Sequence, residues 1–340
     1  MINQPPFHIN CNHHSIYTKT LHFLFLTTTT TMEPTIIGTS DFIKAYSDGT
    51  IERFIPETSP ASLDLYDGYK CKDVTIDPSK PITARLFIPT AAVMPPSLPI
   101  VVYFHGGGFA IGSTTWLGYH HFLGDLSAAT KSIVLSVDYR LAPENRLPIA
   151  YEDSYASLVW LYKQKPSDSW LQDADLSRVF LSGDSAGGNI AHQVAIRAIR
   201  DTQCPVRVSG ILSIHPYFGS EKRTELETKV ESADDVKSND MFWSLSVPKG
   251  SNRDYDGCNL EKMVVSMSEW NRFPDVLVFV AEFDFLKERG VEYAEFLKGK
   301  GVKVELIETK NEKHVFHVFR PDSEETKLLQ SQMNEFIHSF

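Results

Sequence analysis

The chain has 340 residues, 42% of them hydrophobic and 22% charged, an ordinary globular composition for one large domain or two smaller ones. Its 33 basic against 43 acidic residues leave a net charge of −10, which argues against nucleic acid or an anionic membrane surface as partner. No apolar run approaches the roughly 20 residues of a membrane span, and Cys11, Cys71, Cys204 and Cys258 lack C-x-x-C spacing, so they read as free thiols in a reducing, cytoplasmic compartment.

In chain order, residues 1–32 are expected to be a disordered leader outside the fold. The apolar piece "LHFLFL" (21–26) is shorter than the about 7–15 residues of a signal-peptide core, and the single basic residue Lys19 is a poor transit signal. Met32 offers a second start. Residues 33–68 precede the regular pattern that begins near 70. Strand-like runs then fall at 84–89, 100–105, 133–139, 178–182, 209–216, 276–284 and 303–309. Helical segments fall between or after them at 150–164, 189–199, 286–300 and 324–340. Near-continuous apolar strands alternating with helices imply an α/β fold, a mostly parallel sheet covered on both faces. Residues 219–272 break that rhythm. They are charged and irregular around the apolar piece "MFWSLSVP" (241–248), and read as an insertion over the carboxyl ends of the strands.

The chemistry concentrates around "GDSAGGN", residues 183–189. The strand "RVFLS" leads in, and apolar residues at 190, 191, 194, 195 and 198 mark a helix leading out. A G-x-S-x-G at such a strand-to-helix turn is the context of a nucleophile elbow, with Ser185 presented above a helix start. A serine nucleophile needs a base, an acid to orient it, and donors for the oxyanion. "HGGGF" (105–109) follows the strand "VVYF", and the N–H groups of Gly107, Gly108 and Ala186 are candidate donors. Ile111 stands where a G-x-G-x-x-G would need its last glycine, so nucleotide binding is not supported. For the acid, Asp284 lies past the apolar run "VLVFVAEF", with Glu282 as its rival. For the base, "EKHVFHVF" (312–319) offers His314 and His317, downstream of Asp284 as the order Ser, Asp, His requires.

"HGGGF", "DYRLAPE" (138–144), "GDSAGGN", "AEFDFLKERG" (281–290) and "HVFH" (314–317) resemble, in order and spacing, the plant carboxylesterase family of the hormone-sensitive-lipase group. The resemblance covers about residues 40–340. It implies an α/β-hydrolase fold with Ser185 as nucleophile, Asp284 as acid, His314 as base, and an oxyanion hole made by the H-G-G-G segment with Ala186. It also implies a cap built from the segment 33–68 and the insertion 219–272, over a core spanning 69–340. Members usually carry H-G-F at the base, whereas this chain has His314-Val315-Phe316. Valine lacks glycine's freedom at positive φ, so the loop is expected to be reshaped there.

The expected activity is hydrolysis of small-molecule carboxylic esters, with no cofactor and no metal. His13-His14 and His120-His121 are adjacent pairs rather than i,i+4 pairs, which disfavours zinc. Two other readings share the pocket: a lyase or cyclase of specialised metabolism, and a gibberellin-receptor-like binding protein. The intact His314 favours the enzyme over the receptor. Phe109, Trp116, Tyr217, Phe218, Met241, Phe242 and Trp243 are the candidate lining of an apolar substrate pocket. The chain is expected to be a monomer or homodimer.

Overall fold

The computed structural model describes residues 33–64, 68–90 and 94–340; the leader, Cys11 and His13-His14 lie outside them. Thr35–Phe340 make up one compact unit. It opens with a small antiparallel sheet of β1 (Ile36–Ser40), β2 (Ile43–Tyr46) and β3 (Ile51–Arg53). Eight further strands form one sheet: β4 (Tyr69–Asp77), β5 (Ile82–Pro89), β6 (Leu98–Phe104), β7 (Ile133–Asp138), β8 (Ala174–Asp184), β9 (Val208–Ile214), β10 (Asp275–Ala281) and β11 (Val304–Thr309). Their order is β11-β10-β9-β8-β6-β7-β5-β4. From β11 across to β7 every neighbouring pair is parallel, and β5 is antiparallel to both β7 and β4.

The helices are α1 (Leu117–Thr130), α2 (Ile149–Gln164), α3 (Ala186–Arg200), α4 (Ala233–Ser246), α5 (Met267–Trp270), α6 (Lys287–Gly299), α7 (Phe316–Phe319) and α8 (Glu324–Ile337). Strand β6 shows why its sequence is apolar at every position. Ile100, Val102 and Phe104 join the core under α2, α3 and α6, while Val101 and Tyr103 join the core under α1 and α8. A strand covered on both faces has no solvent side to mark with polar residues. Among the described residues no helix is long and apolar enough to cross a membrane. Cys71, Cys204 and Cys258 are free thiols.

The chain leaves β6 toward β7 on one side, then returns to place β8 on the other. The carboxyl ends of β6 and β8 therefore flank a topological switch point, where open α/β sheets form their binding crevice.

The stretch 219–272, expected to be irregular, contains the 14-residue helix α4. Its charged residues run round much of its surface and hide the helical period. Asp234 and Asp235 in the first turn complement the helix dipole. Met241 and Leu245 of α4 pack with Ile43 and Ala45 of β2 in a separate small core. Gly38 of β1 lies so close to Met241 that a Cβ there would sit 2.5 Å from its sulfur. Arg53 ties the same small sheet to the main body: Nε donates to the Ala110 carbonyl at 2.7 Å, and two nitrogens grip Glu144 at 2.9 and 2.7 Å.

Candidate active site

Ser185 stands between β8 and α3 with φ 51° and ψ −117°, a backbone that non-glycine residues rarely adopt. The turn is pinned from both sides. The Ser185 N–H donates to Ile214 O, and its carbonyl accepts from Tyr217 N, each at 2.9 Å. The glycines of the motif are required by close approach. A Cβ on Gly187 would lie 1.8 Å from the Phe104 carbonyl oxygen, and one on Gly183 would lie 2.4 Å from the Gly187 carbonyl carbon.

His314 bridges the two other groups. Its Nε2 lies 3.0 Å from Ser185 Oγ, and its Nδ1 lies 2.7 Å from Asp284 Oδ2. Asp284 sits three residues beyond the end of β10, in the turn before α6, rather than on the strand itself. Its other oxygen accepts from Leu286 N at 2.8 Å, so the carboxylate is aimed from both sides. Burial pushes the Asp284 carboxyl up, but His314, its hydrogen bond, His215 and the Leu286 amide outweigh it and hold the group below its ordinary range. For His314, burial favours the neutral ring, and the Asp284 carboxylate overcomes it and raises the imidazole above its ordinary value. The two directions agree, as they must for one shared interaction.

The rival residues lie elsewhere. Glu282 accepts from Asn311 N at 2.9 Å. His317 is fully buried, edge-on to Phe122 at 4.6 Å, and burial lowers it to about 3.

Gly107 and Gly108, at φ 102° and 56°, border the same cavity as Ser185. Among the described residues, the N–H groups of Gly107, Gly108 and Ala186 have no protein acceptor. Gly108 is held on its other side, where its carbonyl accepts from Ser246 Oγ at 2.7 Å. A network unforeseen from the sequence holds this loop to the elbow. Asp184 is fully buried. Its Oδ1 accepts from Tyr103 Oη at 2.7 Å and Gly106 N at 3.0 Å, and its Oδ2 accepts from Tyr119 Oη at 2.9 Å. Burial raises the Asp184 carboxyl, and the two tyrosine hydroxyls offset part of that rise.

His215 was also not singled out from the sequence. It is buried just after β9, with its ring centroid 5.8 Å from that of His314. Its Nδ1 accepts the Val315 N–H at 2.9 Å. His215, Asp284 and His314 bring ligand atoms within 4.8 Å of one another, close enough to hold an ion. Hydrogen bonds already occupy Nδ1 of both histidines and Oδ2 of Asp284, and His215 Nε2 is buried without a partner among the described residues.

The cavity over Ser185 has a volume of about 410 Å³. Trp116, Tyr217 and Phe242 line it, as do Phe42 and Phe319. Phe109, Phe218, Met241 and Trp243 do not, which corrects their expected place in the lining. Trp243 stacks on Tyr217 at 4.3 Å and lies 5.7 Å from Phe109 within the core. Phe218 stacks on Tyr293 at 4.7 Å. One helical step of about 100° separates Phe242, facing the cavity, from its buried neighbours.

A family model described as alpha/beta hydrolase fold matches residues 101–318. Probable carboxylesterase 6 of Arabidopsis thaliana is 39% identical over 318 residues, 90% of this chain and 93% of its own. Tuliposide A-converting enzyme 2, chloroplastic, of Tulipa gesneriana is 36% identical over 292 residues, 83% of this chain and 73% of its own. A hyperthermophilic esterase from Pyrobaculum calidifontis superposes with a TM-score of 0.68 at 29% identity, covering 79% of this chain and 83% of the esterase. A thermostable carboxylesterase cloned from a metagenomic library gives 0.67 at 28% identity, covering 79% and 88%.

Proposed function

This chain belongs to the plant carboxylesterase family of the α/β-hydrolase fold and is a carboxylic ester hydrolase, and from that premise we propose that it cleaves small-molecule esters by acyl transfer through Ser185, His314 and Asp284. The observation that carries this reading is the continuous relay from Ser185 Oγ through His314 to Asp284, at 3.0 and 2.7 Å.

His314 holds its Nδ1–H toward Asp284, which leaves Nε2 as the free base. Nε2 takes the Ser185 proton as Oγ bonds to the ester carbonyl carbon. The carbonyl oxygen becomes an oxyanion and is met by the N–H groups of Gly107, Gly108 and Ala186. Collapse of the tetrahedral adduct breaks the bond to the alcohol oxygen, and His314 gives that oxygen its proton. Water then attacks the acyl-enzyme with His314 again as base, and Ser185 Oγ leaves with the proton returned. The small sheet of β1–β3 together with α4 acts as the cap that shields these steps. A cytoplasmic location fits the free thiols of Cys71, Cys204 and Cys258.

The test is Ser185→Ala, which should lower ester hydrolysis by at least ~10³-fold, together with labelling of the wild type at Ser185 by a serine-reactive organophosphate. Unchanged turnover in Ser185→Ala sinks the reading.

A second reading, elimination in the same pocket, is kept because relatives are named tuliposide A-converting enzymes. Turnover in ¹⁸O-labelled water separates the two. Hydrolysis places one label in the released acid, and elimination places none.

A further inference from the structure

Besides the reacting groups Ser185 and His314 and the Asp184 carboxylate, the cavity takes polar lining from the α4 and β1–β2 segments. Asp41 borders it from the β1–β2 turn, and Asp235, Ser238 and Asn239 border it from α4. Among the described residues that line the cavity there is no lysine or arginine. Of the two groups that favour the Asp235 carboxylate, Lys313 is not part of the lining, and His314, which is, is already paired with Asp284. Burial and the Asp284 carboxylate both raise the Asp235 carboxyl, the direction expected where a further negative charge is unwelcome.

Asn239 adds an independent observation. Its residue is 4% exposed and it lines the cavity, yet its buried Oδ1 accepts no hydrogen bond among the described residues. Its backbone carbonyl, by contrast, is engaged by Tyr217 Oη at 3.2 Å. Its side-chain nitrogen has no partner among the described residues either, and a carboxamide in a cavity wall with neither end bonded is unfavourable unless a ligand completes it. A hydroxyl meets either end of that amide, and the Asp41 and Asp235 carboxylates that border the same cavity are acceptors. The group that satisfies them is a donor.

We propose that this cavity selects esters whose non-reacting part carries hydroxyl donors or a positive charge and no negative charge, with Asn239 and Asp235 of α4 reading that part. The inference rests on the esterase reading above and deepens it. An acidic ligand would bring its carboxylate against Asp41 and Asp235 with no lysine or arginine to meet it, so the same wall disfavours a small acidic hormone.

Two ester sets test it by acid release in a pH-stat. One varies the alcohol: propyl butyrate, 2,3-dihydroxypropyl butyrate, butyrylcholine and carboxymethyl butyrate. The other varies the acyl part: methyl butanoate, methyl 2,3-dihydroxypropanoate, methyl 4-(trimethylammonio)butanoate and monomethyl succinate. In at least one set, kcat/KM for the dihydroxy ester should exceed that for the anionic ester by roughly 30-fold or more. Preference for the dihydroxy over the cationic member identifies hydroxyl donors as the feature read; the reverse identifies positive charge. Asn239→Leu should shrink the dihydroxy-to-neutral ratio by about 10-fold. Asp235→Asn, an exposed change that leaves the core alone, should shrink the cationic-to-anionic ratio by at least about 3-fold. Anionic esters turned over as well as neutral ones in both sets would overturn the inference, as would ratios that survive both substitutions. Failure to hydrolyse any member would sink the esterase reading itself, and this inference with it.

Discussion

Val315 donates its backbone N–H to His215 Nδ1 across 2.9 Å, from a left-handed backbone at φ 48°. The valine was expected to reshape the loop, since the family pattern has glycine there. It takes the left-handed conformation instead, although that conformation disfavours an L-residue by roughly 1–2 kcal/mol. The His215 acceptor and the packing of Val315 against the core under α1 and α8 hold it there. His314 is the next residue back along the chain, so this contact sets where the imidazole stands.

His215 is therefore a positioning residue. Burial keeps it neutral, well below the ordinary histidine value. Removing it removes an acceptor, not a charge. His215→Ala should lower kcat by roughly 10- to 100-fold with little change in KM, because a small misplacement of a base is costly. His215→Asn keeps a short acceptor and tolerates the left-handed backbone found at this position, φ 46°, so it should restore much of the rate. Equal kcat in His215→Ala and wild type would remove this role.

The pH dependence follows from the direction of the shifts. The proposed role of His314 as base requires it neutral, and Asp284 raises it above its ordinary value. The acid limb of kcat/KM should thus have its midpoint above about 6.5, and Asp284→Asn should move what activity remains toward lower pH. The same pair contributes to stability. The raised His314 contributes fully below the unfolded value of about 6.5, and that contribution is lost as pH rises through its folded value. The lowered Asp284 contributes above the unfolded value of about 3.9, and its contribution is lost as pH falls through its folded value. Urea unfolding of wild type and His314→Ala across this range should show their difference fading at both ends. A difference constant with pH would contradict it.

Asp184→Asn should weaken the site while leaving the hydrogen bonds of Ser185, His314 and Asp284 in place. Its carboxylate accepts from Tyr103 and Gly106 on one oxygen and from Tyr119 on the other; an amide keeps one accepting oxygen, and its nitrogen cannot accept from the donor it then faces. Each donor left unpaired is unfavourable by about 1–3 kcal/mol. The expected result is a lower Tm together with a lower kcat, as the H-G-G-G loop loses its tie to the elbow. A lowered Tm with full kcat would mean that the network supports the core and not the loop.

Neighbouring aromatic residues of α4 should separate cleanly. Trp243→Ala empties a stacked core position and should destabilise by about 3–5 kcal/mol while substrate ratios hold. Phe242→Ala enlarges the cavity wall and should shift the kcat/KM ratio between large and small esters by roughly 1–3 kcal/mol. Denaturant melts and an ester size series on both variants check this; exchanged phenotypes would reverse the two placements.

What the sequence determined by itself was whatever local pattern carries. Uninterrupted runs such as "IVVYF" mark strands buried on both faces, and "GDSAGG" marks a strand-to-helix turn because close backbone approach there admits only glycine. Asp284 was legible where the apolar run "VLVFVAEF" stops, whereas the choice of His314 over His317 came from the family resemblance and from no local pattern. What only the tertiary structure decided were the contacts between segments far apart in the chain. The periodicity of α4 is masked by its charges, so nothing local separates Phe242 in the cavity from Trp243 in the core. Asp184 read as the variable position of a motif until Tyr103 and Tyr119 converged on it across 81 and 65 residues. His215 became visible only when Val315 met it from 100 residues away. A side chain's environment is set by the neighbours that packing brings to it, and packing is a property of the whole fold.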